Sequence, residues 1–287
     1  MLDMLLRCGA RGQTDFVFFN TGLEYQATLE HLKVLEDKYE ITIERIRPPK
    51  SIPTCTKEYG IPFWSKYASD MIRRLQMHNF KWEDKPFEDL YREYPSCKSA
   101  LRWWCNVHDG NTTQWSIERS PYLKEFLIEN PPDFHISGMC CQYTKKTPIH
   151  RIIQNGKYDL SCVGIRKSEG GIRSMTYKSC FTEKAAIGTD VFRPIFWLRD
   201  SDKEEYCAHY GVTHSKCYTE YGLTRTGCVG CPFGRNIDSE LSTLSRYEPK
   251  LYKAAIAVFG KSYDYTQAYM EYRKKKKEEE ICARKYS

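Results

Sequence analysis

The run Asp15-Phe16-Val17-Phe18-Phe19-Asn20-Thr21-Gly22 sets the architecture. Asp15 to Phe19 is short, apolar and rich in aromatics, which predicts a buried strand. Asn20-Thr21-Gly22 follows at its carboxyl end. From Glu24 to Lys38, Tyr25, Leu29, Leu32 and Leu35 recur at helical spacing. Ile41 to Ile46 then alternates like a second strand. Strand, loop, helix, strand is a parallel α/β unit, and ligands of such sheets sit at the strand carboxyl ends. Upstream, Leu2 to Leu6 reads as the tail of an amphipathic helix closed by Cys8-Gly9.

Downstream, residues from Pro48 to about Pro132 form a polar, aromatic-rich stretch predicted to be helical. Turn signals stand at Pro48-Pro49, Gly60-Ile61-Pro62, Lys85-Pro86 and Pro131-Pro132. Phe134 to Gly138 and Ser161 to Ile165 are expected strands, and Arg193 to Trp197 begins another element. Ser201 to Tyr210 is an expected helix with Ser201 as cap and Glu204 three residues on. From Leu251 the chain is expected to be helical. These signals give an α/β core of residues 1–47 and 133–250, a helical insertion at 48–132 and a helical tail at 251–287.

Composition narrows the class. Of the 287 residues, 41% are hydrophobic and 28% charged, the balance of a soluble globular chain. No apolar run approaches the ~18–20 residues of a membrane span. Asp3 interrupts the first ten residues, which carry no signal-peptide pattern, so a cytoplasmic location is expected. Thirteen cysteines, an odd and scattered set, argue against a disulfide framework and for thiols or metal ligands. The net charge of +7 suits an anionic small substrate or a nucleic acid. The Lys274–Lys277 run is followed by Glu278–Glu280 and reads as a solvated helix face.

Two cysteine pairs carry the strongest chemical signal: Cys140-Cys141 and Cys228-Val229-Gly230-Cys231, with residues 142 to 227 between them. Four thiolates in two close pairs can converge on one metal or iron–sulfur centre, and spacing alone leaves zinc and [4Fe–4S] both open. A second signal is Gly164-Ile165-Arg166-Lys167-Ser168-Glu169-Gly170-Gly171-Ile172-Arg173, a glycine-rich basic loop after an expected strand. Its arginines offer planar donors for phosphate or sulfate, and Glu169 could orient an arginine or accept from a ribose hydroxyl. Arg225, just ahead of the CxxC, would place a positive charge beside a bound anion. Lys98 to Trp104 sets basic residues beside Trp103-Trp104, a pattern that either stacks nucleic-acid bases or packs a core. His108-Asp109 has no third partner in sequence and reads as a surface or capping pair.

Taken in order, these motifs resemble the phosphoadenosine phosphosulfate (PAPS) reductase family. The matching segments are Phe19-Asn20-Thr21-Gly22, Cys140-Cys141 with Lys145-Lys146, Gly164-Ile165-Arg166 with Glu169, Pro194-Ile195 with Trp197, and Arg225-x-Gly227-Cys228-x-x-Cys231-Pro232-Phe233. The resemblance covers nearly the whole chain outside 48–132. It implies a parallel-sheet, adenine nucleotide alpha-hydrolase-like (Rossmann-like) fold with a helical insertion and a helical C-terminus. It places Asn20, Thr21 and Gly22 near an adenosine, with Gly164, Arg166, Glu169, Arg173 and Arg225 toward the anionic end of an adenine (sulfo)nucleotide. It assigns Cys140, Cys141, Cys228 and Cys231 to a [4Fe–4S] cluster, with structural zinc as the alternative, and a thiol electron donor such as thioredoxin as partner.

Two departures from the family pattern stand out. A Ser-Gly-Gly-Lys-Asp-Ser-like pyrophosphate loop is absent, and the expected reason is either a start assigned at an internal methionine or a truncated gene. The family's late Glu-Cys-Gly-like nucleophile has only Cys282 as a counterpart, in a different context. Two other readings therefore stand beside reduction of a sulfonucleotide: an ATP-dependent sulfurtransferase acting on nucleic acid, and a nucleotide-binding remnant without catalysis.

Overall fold

Phe16–Phe19 (β1) and Ile43–Ile46 (β2) pair in parallel, Phe16 opposite Ile43 and Phe19 opposite Ile46, with the helix Gln26–Tyr39 connecting them. The expected strand–loop–helix–strand unit is therefore present. The computed structural model describes residues 1–107, 115–156, 158–170, 176–185, 188–234 and 236–285. Arg173 and the His108-Asp109 pair lie outside these residues.

The chain divides into two compact units, Met1–Pro49 with Gln142–Thr226, and Lys50–Cys141 with Gly227–Ser287.

The first unit is α/β. Beside the β1–β2 pair it holds a three-stranded sheet in which Leu160–Cys162 (β3) runs parallel to Asp190–Phe192 (β5), and Phe181–Thr182 (β4) runs antiparallel on the far side of β5. All four β1 residues are only half-buried, against the expectation of a buried strand. Among the described residues β1 pairs with β2 alone and β3 with β5 alone, so each strand has one edge without a ladder. The Tyr158 hydroxyl donates to Asp15 Oδ2 at 2.6 Å, tying the entrance of β3 to that of β1. The opening helix Leu2–Arg7 is fixed by Asp3, whose buried carboxylate accepts from Arg7, Tyr39 and Tyr206.

Three expectations are corrected here. Phe134–Gly138 is not a strand; only Ile136 bridges, to Ile61, and the Ser137 hydroxyl then caps the next turn by accepting from Met139 N at 3.1 Å. Arg193–Trp197 starts no element, because β5 ends just before it and Pro194 brings no N–H to a ladder. The helix after it begins at Asp200, not Ser201, and is capped by Asp202 Oδ2 accepting from Arg199 N at 2.8 Å.

The second unit is helical. Ile52–Tyr59, Lys66–Gln76, Phe87–Glu93, Lys98–Trp104 and Leu123–Glu129 surround a core of Phe63, Ile72, Leu75, Leu90, Leu101, Trp104 and Phe126. Trp103 and Trp104 are 3% and 0% exposed. The tryptophan pair is core, Trp104 donating to Glu83 O at 2.9 Å, and it offers no stacking face to a nucleic acid. The helix Pro249–Lys285 joins this core through hydroxyls spaced along it. Ser262 donates to Pro62 O, Tyr265 to Asn130 O, Tyr269 to Pro121 O, and Tyr272 to Glu129 Oε1. Tyr269 is fully buried between Trp64 and Phe126. Farther on, Lys276 faces Glu125 and Glu129, and Lys275 lies 3.9 Å from Glu279.

The Ile61–Ile136 bridge depends on Gly60, whose φ is +105° and whose added Cβ would sit 2.3 Å from His135 O. Gly211 has a positive φ of 60° in open space. Gly60→Ala is expected to lower unfolding free energy by about 3 kcal/mol, and Gly211→Ala by about 1 kcal/mol. Urea titration of the two variants measures the difference.

Candidate functional site

The two cysteine pairs meet in the second unit. Ile61 N donates to His135 O and Ser137 N to Ile61 O, which delivers the chain to Gly138 and the short helix Met139–Cys141. Phe233, two residues past the CxxC, lies 3.5 Å from where a Gly138 side chain would begin. On the other side, Cys231 N donates to Cys228 O at 3.2 Å, closing the CxxC turn. Gly230 holds φ +63°, and a Cβ there would strike Tyr263 Oη at 2.6 Å and Ala255 Cβ at 2.7 Å. Glu240 Oε1 accepts from Gly230 N at 3.1 Å, and the Tyr263 hydroxyl donates to Gly230 O. The turn is thus clamped between the helices Ile237–Tyr247 and Pro249–Lys285.

Electrostatics tie the four thiols together. A hydrogen bond with Cys141, then burial, then the proximity of Cys141, Cys231 and Cys228 push the Cys140 thiol far up. Burial pushes Cys231 up to about 12, aided by Cys228 and Cys141 and opposed by the Phe233 amide and Lys66. Each thiolate disfavours the next, so Cys140 and Cys231 stay protonated near neutrality unless a cation compensates. No disulfide joins any of the thirteen cysteines. Among the described residues, no three His, Cys, Asp or Glu side chains stand close enough to hold a metal ion. The thiols are neighbours that feel each other without being drawn to bonding distance. Neutral sulfur supplies no force to draw them in; metal bonding to thiolate does.

In the first unit the expected nucleotide residues form two separate loops. Asn20 Oδ1 accepts from Gly22 N at 3.1 Å, and Thr21, fully buried, donates both its amide and its hydroxyl to Glu24 Oε1 at 3.2 and 2.5 Å. Sequence reading missed Glu24, which looked like the first residue of a helix. Its pKa is raised, chiefly by burial, with the Thr21 bonds and the nearby Lys145 ammonium opposing. Lys145 stands on the π-helical turn Gln142–Lys146. Such turns are frequent at functional sites.

The other loop leaves β3 through Gly164. Arg166 Nη1 reaches Asp200 Oδ1 at 2.7 Å and Ser168 Oγ at 3.0 Å. Glu169 accepts from Arg166 N at 3.2 Å and so caps the loop. Asp200 was also missed; Arg166 holds its carboxyl below the usual range. Arg166 lines a cavity of about 260 Å³ with His31, Ile195, Lys203, Cys207 and His214. Arg225 is exposed. Cys282 is exposed near the end of the C-terminal helix, nineteen residues past Tyr263, which at ~1.5 Å per residue is roughly 28 Å along the axis from the residue clamping the CxxC turn.

No family model matches the chain. Over 167 residues it is 26% identical to an uncharacterized protein of Methanocaldococcus jannaschii, a match covering 56% of this chain and 33% of that protein. The chain thus spans about a third of the length of the curated relative it matches.

Two expected outcomes follow from these environments. At about pH 8, iodoacetamide is expected to label exposed Cys8 and Cys282 quickly and to spare Cys140 and Cys231, read by peptide mass spectrometry. Because the Glu24 pKa is raised on folding, the folded state holds that proton longer. Ionising Glu24 therefore weakens the fold as pH rises above its unfolded value of 4.5. Glu24→Gln, which keeps an acceptor for Thr21, is expected to gain stability on wild type as pH climbs from about 4 to 7, followed as ΔTm.

Proposed function

We propose that this protein is a PAPS/adenylylsulfate reductase-like enzyme of sulfur metabolism. In this reading it has an adenine nucleotide alpha-hydrolase-like (Rossmann-like) fold, and Cys140, Cys141, Cys228 and Cys231 hold a [4Fe–4S] cluster. The observation that carries the proposal is the meeting of the two cysteine pairs, from segments 86 residues apart, in one electrostatically coupled group. Four thiols, Cys140 and Cys228 buried and Cys141 and Cys231 half-buried, are a donor set suited to iron–sulfur or zinc. The clamp on Gly230 supports the same reading, since it fixes the CxxC turn without using any of the sulfurs. When bound, a cluster supplies fixed charge and ordered thiolates.

The chain's own residues would bind the nucleotide. Asn20, Thr21 and Gly22 form a loop at the carboxyl end of β1 that Glu24 holds in shape. Gly164, Arg166 and Glu169 form the second loop, at the exit of β3, and Arg225 and Arg173 belong to the same proposed set. Arg166 supplies a guanidinium at a cavity wall, suited to an oxyanion. In the reductase reaction a thiolate attacks the sulfonyl sulfur, the S–S bond forms as the S–O bond breaks, and the nucleoside phosphate leaves. A dithiol donor such as thioredoxin then releases sulfite, its two thiols ending as a disulfide. The late cysteine of the chain is Cys282, exposed on the C-terminal helix.

Anaerobic purification followed by iron and acid-labile sulfide analysis tests the cluster; about four of each per chain is expected. Stoichiometric zinc without sulfide would overturn it in favour of structural zinc. Sulfite release from adenylylsulfate is the expected activity. AMP formation from ATP that depends on nucleic acid would replace it with the sulfurtransferase reading.

A further inference from the structure

Arg193 is the first residue past β5, and it is only 3% exposed. Its Nη1 donates to Thr182 Oγ1 at 3.0 Å and reaches Ser179 O at 3.5 Å, while the Tyr177 ring covers the guanidinium at 4.0 Å. Its Nε is buried and has no hydrogen-bond partner among the described residues. Among the described residues no carboxylate pairs with it. Arg166, the neighbouring arginine at the exit of β3, differs on this point, because Asp200 faces it.

A guanidinium does not shed its proton on burial, so the charge stays. Hydroxyl, carbonyl and ring face supply only partial negative charge. A buried cation without a counter-charge is strongly unfavourable, and an anion removes the penalty. The unpartnered edge of the guanidinium is the Nε side, whose donors lie in one plane and match two oxygens of an oxyanion. The position also fits. Val163 N donates to Phe192 O, so Arg193 stands level with the exit of β3, at the carboxyl ends of two parallel strands. That is where open α/β sheets bind ligands.

We propose that Arg193 is an anion anchor that binds a sulfate- or phosphate-type oxyanion through its Nε edge. The inference deepens the nucleotide reading, whose sulfo or phospho end is one source of such an anion, and it stands apart from the cluster. A free oxyanion is the other source.

The test is thermal unfolding of the full chain in sodium sulfate against sodium chloride at matched ionic strength. Sulfate raises the Tm of most proteins through surface exclusion, so the readout is the difference between wild type and variants. Wild type is expected to gain Tm saturably with sulfate. Arg193→Met, which removes the charge and keeps most of the volume, is expected to lose that gain, its apparent sulfate affinity falling roughly tenfold or more. Thr182→Val removes the Nη1 bond but leaves the Nε edge, and is expected to keep the gain. If Arg193→Met does not fold, Arg193→Lys takes its place, keeping the charge without the planar edge, and is expected to show a weakened response. An equal response in wild type and the arginine variant, or no saturable response in wild type, overturns the anchor. In wild type, adenylylsulfate that abolishes the sulfate response identifies the nucleotide as the source; additive effects identify a free oxyanion. Loss of the cluster or of reductase activity with the sulfate difference intact would sink the proposed function and leave the anchor standing.

Discussion

A row of hydroxyls on one long helix holds the second unit together. Ser262, Tyr263, Tyr265 and Tyr269 each donate to a backbone carbonyl of a loop that would otherwise leave that oxygen without a donor. The tyrosine rings enter the core while their tips satisfy polar groups, so one side chain answers both demands of burial. This explains how a helix without a continuous apolar stripe docks at all. It also explains why the CxxC turn is held at a fixed place, since Gly230 O is one of those carbonyls. The path from sequence to site in this unit therefore runs through aromatic packing before it reaches sulfur.

What sequence shows of such a molecule follows from the range of the forces involved. The β1–helix–β2 unit was legible because its apolar spacing is local. The pairing of Cys140-Cys141 with Cys228 and Cys231 was legible because adjacent cysteines are rare enough to be noticed without a structure. Phe134–Gly138 misled because an apolar run becomes a strand only where a neighbour offers a ladder, and there Ile61 offers a single bridge. The Trp103-Trp104 pair sits beside basic residues in sequence, yet helical geometry turns both rings inward. Glu24, Asp200 and Arg193 escaped notice because their meaning lies in what they meet. A carboxylate under Thr21, a carboxylate facing Arg166 and a guanidinium facing no carboxylate are tertiary facts.

The first unit treats its two strand-exit arginines differently. Arg166 shares its charge with Asp200 on an exposed loop, where solvent screens the pair and the energy at stake is small. Arg193 is buried under a tyrosine ring, where screening is weak. An anion approaching the first would compete with a carboxylate; among the described residues the second faces none. The same sheet end thus carries an adjustable contact and a committed one.

The clamp on the CxxC turn has a further consequence for how the cysteine group responds to its surroundings. Burial pushes the Tyr263 hydroxyl well above its ordinary range, so it remains a donor to Gly230 O. The clamp uses a hydroxyl, a carboxylate and backbone groups, and none of the sulfurs. Oxidation or metal binding at Cys228 or Cys231 would then act on a turn whose backbone is held separately, by Glu240 and Tyr263. The chemistry of the group can vary without unfastening the chain that presents it.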